Sequence, residues 1–420
     1  MKQSQIKLSN NSSPPDDVRM RGFKKRSPVT DALSWLNQQS IQLIAEHIPL
    51  QKAVGRVLAE DIVSPFNIPG FTRSMMDGYA LIASETQGAS TYNQLELQVI
   101  ARSMPGQGTK AMVTPGTAIS IMTGAPLPEG ANAVLPAENV DVEGNSIFIM
   151  ESVAEGRNIG RIGEDITLGS SLLPQGRCLR PQDIALLASI GKKDLAALKQ
   201  LQISIVVTGN EILPVGESPK NYQIINSNGP MLEALSSRDG GVVINSQIVP
   251  DNPELIRQAM QSDYDILLIT GGTSVGEEDL APLILAELGQ LAIHGVAMRP
   301  SRSTGMGTIG KKYVFLLPGN PVACLCAYDF FASRFIRQLS GKGSHTPYRS
   351  VHKALKQKLV SMIGRTDYAR VRLSDDTIEP IGISGAAILS STTQADGFVI
   401  VPADSEGYAP GTSLEVFLYD

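Results

Sequence analysis

The feature that most constrains this chain is a regular alternation of short apolar runs and helical patterns between about residues 203 and 341. ISIVVT, VVINSQIV, DILLIT, LAIHGVAM and YVFLLP have the aliphatic, β-branched composition of buried strands. Between them lie a helical pattern near 228–238, another from Pro253 and a third in LAPLILAEL, followed by a long apolar helix from Val322 to Leu339. Such alternation predicts a parallel α/β sheet with helices on both faces. Ligands of these sheets sit beyond the carboxyl ends of the strands. Here those ends carry TGNE, TGGTSVGEED, RPSR and PGNP, so these punctuated loops are expected to converge on one edge.

TGGTSVGEED sets two demands against each other. Strand, glycine-rich turn and helix together present backbone N–H groups and a positive helix end to an anion. Yet the turn closes with Glu277, Glu278 and Asp279, which repel one. Acids in a first helical turn favour the helix dipole, and an ordinary capped turn explains one of them. Three in succession after a glycine nest point to a cation. Magnesium binds one or two carboxylates plus phosphate oxygens and keeps water elsewhere. The backbone would then hold the phosphate, and the acids a metal that neutralises it.

TGNE, Thr208 to Glu211, repeats the design at the first strand end. PGNP, Pro318 to Pro321, is in isolation a stiffened turn. Before the longest helix, with Pro321 at its first position, it offers N–H groups to the same crevice. Arg299 and Arg302 in MRPSRSTGMG follow another strand; surface arginine is the default reading, and beside phosphate-shaped loops they would make oxyanion forks. Asp77-Gly78 in SMMDGYA and the segment TGAPLPEGANAV read as turn chemistry and nothing more.

The rest of the 420 residues implies several domains. Residues 1–28 have the composition of a solvated, disordered tail, and an amphipathic helix begins at Val29. Short β runs between about 88 and 151 read as a small all-β module. A helix-rich return follows, with PQDIALLASIG opening on Pro181 and closing on Gly191. Beyond 343, TDYARVRL, GFVIVP and SLEVFLY alternate as a small β-barrel or sandwich would. With 42% hydrophobic and 18% charged residues the composition is that of a soluble globular protein. No apolar run reaches the roughly 18 residues a membrane span needs, and the N-terminus lacks a signal-peptide core. Three cysteines fit a reducing cytoplasm, and Cys324 and Cys326 read as buried helical thiols rather than a metal pair. Four scattered histidines give zinc or haem no support, and a net charge of −5 argues against nucleic acid. No Ser–His or Cys–His pair suggests a covalent intermediate.

SMMDGYA, MTGAPLPEGANAV, GRIGEDI, TGNEI, INSN, TGGTSVGEED, LPGNPVA and GRTDYARV occur here in the order seen in molybdopterin molybdenumtransferases. From Val29 to the C-terminus the chain resembles that family, the MoeA proteins of bacteria and the C-terminal domain of gephyrin. The resemblance implies a multidomain fold: an extended N-terminal domain from 29–72 and 152–200, an inserted β domain over 73–151, a central α/β molybdopterin-binding domain over 201–342, and a small C-terminal β-barrel domain over 343–420. It also implies a cytoplasmic homodimer with a shared active-site cleft, and insertion of molybdate into adenylylated molybdopterin with release of AMP and with Mg2+.

On that resemblance Asp77, Glu211 and Asp279 would be catalytic and would hold the metal. Substrate would be bound by Thr123 and Asp165, by Thr208, by Ser227 and Asn228 of INSN, and by Asp251. Gly271, Gly272, Ser274 and Gly276 would join them from the glycine-rich loop, with Pro318, Gly319, Asn320 and Pro321 from PGNP. Arg299, Arg302 and Arg370 would supply positive charge. Many family members read KPGKP where this chain has RPSRS, so planar forks replace point-like ammoniums. The molybdopterin adenylyltransferase and molybdoenzyme chaperones are the further partners implied; neither nucleic acid nor a membrane is. Three other readings stand beside this one: an adenylylating enzyme, which would lack the extra β domains, a nucleotide pyrophosphatase, and a scaffold, against which the intact acidic set argues. Molybdate and tungstate, nearly equal in size and charge, both fit.

Overall fold

The computed structural model describes residues 26–40, 42–274, 279–382 and 388–419. The chain forms two compact units, one of Met1–Ala59, Gly176–Arg180 and Asp194–Asp420, the other of Glu60–Gln175 and Pro181–Lys193. Among the described residues no helix is long and apolar enough to cross a membrane.

The first unit is organised by a six-stranded sheet. Its elements in chain order are β1 (Leu201–Thr208), α1 (Asn228–Asp239), β2 (Gly241–Val249), α2 (Pro253–Gln261), β3 (Ile266–Thr270), α3 (Ala281–Leu288), β4 (Gln290–His294), β5 (Gly305–Ile309), β6 (Lys312–Leu317) and α4 (Pro321–Ala327). The spatial order is β2-β1-β3-β6-β5-β4. Because side chains alternate along a strand, Ile203, Ile205 and Val207 of β1 join Phe315 and Leu317 of β6 in one core with the apolar residues of α4. Val206, Leu267, Ile269 and Leu316 form the other core with Ile256 and Met260 of α2 and Ile284 and Leu285 of α3. Burial on both faces is why these strands read as continuous apolar runs. Asn252 caps α2 by accepting from the N–H groups of Glu254 and Leu255, and α1 stops at Gly240 in the left-handed region.

Several expectations need correction. The sheet is not wholly parallel: β5 runs antiparallel to both β6 and β4. Its sequence, GMGTI, hides it, because Gly307 sits where a Cβ would lie 1.9 Å from Gln290 O on the neighbouring strand. The long helix is not one regular α-helix. After α4 the chain widens into a π turn, Tyr328–Ala332, before Ser333–Leu339 resumes the α form. Arg299 follows β4, as the sequence implies, but Met298–Arg299 is itself a short strand that pairs in parallel with Thr366–Asp367 of the C-terminal domain. Residues 26–28 are not part of a free tail: Ser27 N–H donates to Gly295 O at 2.9 Å and its carbonyl accepts from Ala297 N–H at 2.9 Å. Residues 1–25 lie outside the described set.

The C-terminal domain closes on itself. Thr366–Leu373, Thr377–Gly382, Ser350–Leu355, Ser413–Leu418 and Gly397–Val401 pair in a ring, because Gly397–Val401 also pairs with Thr366–Leu373. A barrel, rather than a sandwich, is therefore the outcome. Cys324 and Cys326 are buried in α4, as their apolar surroundings imply.

In the second unit, Ala133–Pro136, Gly78–Leu81, Thr117–Ile121, Leu95–Ser103, Ser146–Ile149 and Val140–Glu143 form a sheet in that order. Its core is built on Leu81, Leu97, Leu135 and Ile147. The return expected to be helix-rich holds one helix, Pro181–Ser189, and otherwise short strands at Ile159–Gly160, Ser171–Leu173 and Asp194–Leu198, the last belonging to the first unit.

A buried polar network joins the barrel to the α/β layer within the first unit. Asp329, 1% exposed in the π turn, accepts from Tyr348 Oη at 2.9 Å and Tyr368 Oη at 3.2 Å, with Arg238 Nη2 at 3.4 Å. Asp239 accepts from Arg238 and from Tyr328 Oη. Burial pushes the Asp329 carboxyl up to about 6, although Arg238 and the two tyrosines pull the other way. A carboxyl whose folded pKa is raised contributes stability that is fully present in acid and lost as pH rises through about 6. Asp329→Asn keeps an acceptor for the tyrosines and removes the titration. In urea unfolding between pH 4 and 7.5, wild type should therefore gain stability over Asp329→Asn as pH falls, whereas parallel curves would contradict this account.

Candidate active site

The carboxyl ends of β1, β2, β3 and β6 and the approach to β5 surround a crevice of about 420 Å³. The turn after β1 contributes Thr208, Gly209 and Glu211; the turn after β2, Asp251; that after β3, Gly271 to Ser274 and then Asp279. Asn228 enters from the start of α1, Pro318 to Asn320 from the turn before α4, and Ser303 from the approach to β5. Glu211, Asp251 and Asp279 thus line one wall system, and among the described lining residues none is lysine, arginine or histidine.

The turns are pinned by hydrogen bonds whose donors are all uncharged. Thr270 Oγ1 donates to Pro318 O at 2.9 Å, and Thr273 Oγ1 donates to Leu317 O at 3.0 Å. Asn210 N–H donates to Asp251 Oδ2 and Asp251 N–H donates to Asn210 Oδ1, each at 3.2 Å. His294, at the end of β4, lies 3.4 Å from Thr273 O through Nε2. A carbonyl only accepts, so Nε2 carries the proton. Burial pushes this imidazole below its ordinary pKa, against the Thr273 carbonyl and the charge of Asp279. Gly271 adopts φ +90°, and a Cβ there would lie 2.2 Å from Thr208 O, so only glycine fits between these turns.

The residues singled out in the sequence divide clearly. Thr208, Glu211, Asn228, Asp251, Gly271, Gly272, Ser274, Asp279, Pro318, Gly319 and Asn320 meet at the crevice. Ser227 immediately precedes α1 and Pro321 opens α4, each adjacent to a lining residue. Gly276, with Glu277 and Glu278, lies outside the described residues. Arg299 and Arg302 do not line the crevice; Arg302 is exposed, and the segment offers Ser303 instead. Arg370 is 2% exposed in a barrel strand. Sequence reasoning passed over Thr270, Thr273, Asn210, His294 and Ser303. The threonines flank the glycine pair of TGGT, Asn210 lies within TGNE and Ser303 within MRPSRSTGMG, whereas nothing local marks His294.

In the second unit Asp77 and Thr123 form a pair. Thr123 donates to Asp77 Oδ1 from its backbone N–H at 2.7 Å and from Oγ1 at 3.0 Å. These bonds, the backbone one first, hold the exposed Asp77 carboxyl below its ordinary pKa. Asp165 sits in a separate turn, its N–H donating to Ile68 O.

Three family descriptions cover this architecture in order: "MoeA N-terminal region (domain I and II)" over residues 27–191, "Probable molybdopterin binding domain" over 204–338, and "MoeA C-terminal region (domain IV)" over 354–419. A protein of Methanocaldococcus jannaschii named for molybdopterin biosynthesis is 35% identical over 89% of this chain and 92% of its own. The chain belongs to the MoeA family. A Staphylococcus aureus relative named molybdopterin molybdenumtransferase is 30% identical over 93% of this chain and 95% of its own. The crystal structure of a Pyrococcus horikoshii MoeA protein superposes with a TM-score of 0.79 at 33% identity, covering 94% of this chain and all of that one. The MoeA architecture thus brings the acidic crevice and the Asp77–Thr123 pair into one chain.

Thr123→Val removes the hydroxyl donor and keeps the backbone donor. The Asp77 carboxyl should titrate at higher pH in that variant, read by carbon NMR, and an unchanged midpoint would show that the hydroxyl bond has no electrostatic effect.

Proposed function

We propose that the chain is a molybdopterin molybdenumtransferase of molybdenum cofactor biosynthesis, inserting molybdate into adenylylated molybdopterin with release of AMP and with magnesium. The names of its MoeA relatives support the reaction class. The observation that carries the magnesium and phosphate reading is the crevice itself: glycine turns and the start of α4 offer backbone N–H groups, while Glu211, Asp251 and Asp279 line the same space without a basic side chain. Each carboxylate near 4 Å from a phosphate oxygen would repel it by about 4 kcal/mol at an effective dielectric of 20. A bound cation resolves the conflict.

The donor set fits a hard ion, since it is all oxygen. Magnesium takes one or two carboxylates and completes its shell with water and phosphate. Glu211 and Asp279 are the residues we assign to it. When bound, the ion supplies Lewis-acid polarisation of a phosphoryl oxygen. Backbone N–H groups of the Gly271–Ser274 and Gly319–Asn320 turns hold the phosphate, and Asn210 keeps Asp251 facing the crevice. Arg299 and Arg302 stand outside the crevice wall, and we assign them the capture of oxyanion; Arg370, buried in a barrel strand, is left out of that assignment. A cytoplasmic location and supply of substrate by an adenylyltransferase belong to the same proposal.

The resemblance further supports a homodimer in which Asp77 of one subunit serves the site containing Asp279 of the other. Asp77→Ala and Asp279→Ala should each abolish AMP release. After subunit exchange at equal concentration, random pairing under two-fold symmetry should restore about a quarter of the sites. Mixed dimers confirmed by mass spectrometry, with no recovered cofactor synthesis, would rule the shared site out.

A further inference from the structure

The two turns that carry the N–H donors of the crevice are joined by one side chain. Asn228, 5% exposed at the start of α1, donates from Nδ2 to Thr270 Oγ1 at 2.9 Å and to Gly319 O at 2.8 Å. Thr270 Oγ1 spends its own proton on Pro318 O, so toward Asn228 it only accepts. Gly319 O is a carbonyl and likewise only accepts. The amide is therefore locked: turning it over would set oxygen against oxygen at both neighbours. The consequence is a cost, because Oδ1 is left buried without a hydrogen-bond partner. Native interiors avoid such orphan acceptors, and this one persists because both donors are committed elsewhere.

We propose that Asn228 is a positioning residue for the reaction, acting on substrate through the Thr270–Gly272 and Pro318–Asn320 turns rather than by touching it. Both Nδ2 hydrogens are taken by the protein and Oδ1 is buried, so although Asn228 lines the crevice it presents no free donor there. The turns it joins are in close approach: a Cβ built on Gly319 would lie 3.4 Å from Gly271 Cα. At that separation a shift of one turn moves the other, and with it both sets of N–H groups. Asn228 and Thr270 form one chain of bonds from α1 through β3 to the turn before α4. The catalytic consequence rests on the functional reading given above; the mechanical one does not.

The test uses Asn228→Ala, Thr270→Val, the double variant and Thr270→Ser in the full chain. Hydrogen exchange on the free protein should quicken in both turns together in Asn228→Ala, with the outer barrel strands unchanged. Wild-type exchange in either turn would overturn the proposal whatever the activity. In turnover of adenylylated molybdopterin with molybdate, each of the first two variants should lower kcat by about tenfold. The double variant should be worse than Asn228→Ala by less than about threefold, as for residues acting as one unit. Thr270→Ser should restore the rate. Fully multiplicative losses would mean that Asn228 acts apart from Thr270 and would overturn the proposal. Poor folding of Asn228→Ala leaves Thr270→Val, which breaks the same chain from the other side and is read in the same two ways. An inactive wild type would defeat the functional reading, and the exchange measurement would still decide this one.

Discussion

Glu211, Asp251 and Asp279 bring negative charge into a crevice otherwise lined by glycine, threonine, serine, asparagine, proline and aliphatic residues. Everything proposed for the site follows from that conflict. A phosphate attracted by glycine turns and a helix start is repelled by the acids, and among the described lining residues no cationic side chain intervenes. On the proposed reading, the crevice holds its anion only when a cation lies between them. That reading makes metal and phosphate binding mutually supportive, since each screens the charge the other brings.

The remaining structure serves to hold those groups where the conflict is sharp. Parallel strands β1, β3 and β6 end at one edge, so their turns arrive side by side without any covalent link. Neutral hydrogen bonds then fix the turns against each other: Thr270 to Pro318, Thr273 to Leu317, and the Asp251 N–H to Asn210 Oδ1; only the return bond, from Asn210 N–H, ends on a charged group, and that is one of the wall's own acids. Neutral pins suit this place. A charged pin would alter the field that the acids and the ligand must share, whereas a threonine or an amide sets distance and leaves charge alone. Away from the edge, Tyr348 and Tyr368 of the C-terminal region tie it to Arg238 and Asp329 of the α/β layer.

The strand–helix alternation was legible because burial on both faces writes long aliphatic runs into the sequence, and the crevice loops were legible because glycine and proline punctuate them. β5 was not, since close approach of β4 forces glycine into it and erases the strand signature. Nor was the π turn, because Tyr328 to Ala332 keeps the apolar composition of the helix around it. Arg299 and Arg302 looked like crevice residues by proximity in the chain, yet a two-residue strand carries Arg299 into pairing with the barrel, and a partner nearly seventy residues on leaves no local trace. Asp77 looked like a turn residue. Its bond to Thr123 spans two strands of a sheet and could be named in advance only through the resemblance to a family.

The central claim is that the acidic crevice binds phosphate only together with a divalent cation. Isothermal titration of AMP into the full chain, with magnesium and with a chelator, tests it directly. The account predicts binding in magnesium and, in chelator, affinity weaker by at least about tenfold, the equivalent of 1.4 kcal/mol. It also predicts that replacing Asp279 with asparagine weakens AMP binding in magnesium more than in chelator. Equal affinity for AMP in magnesium and in chelator would contradict it.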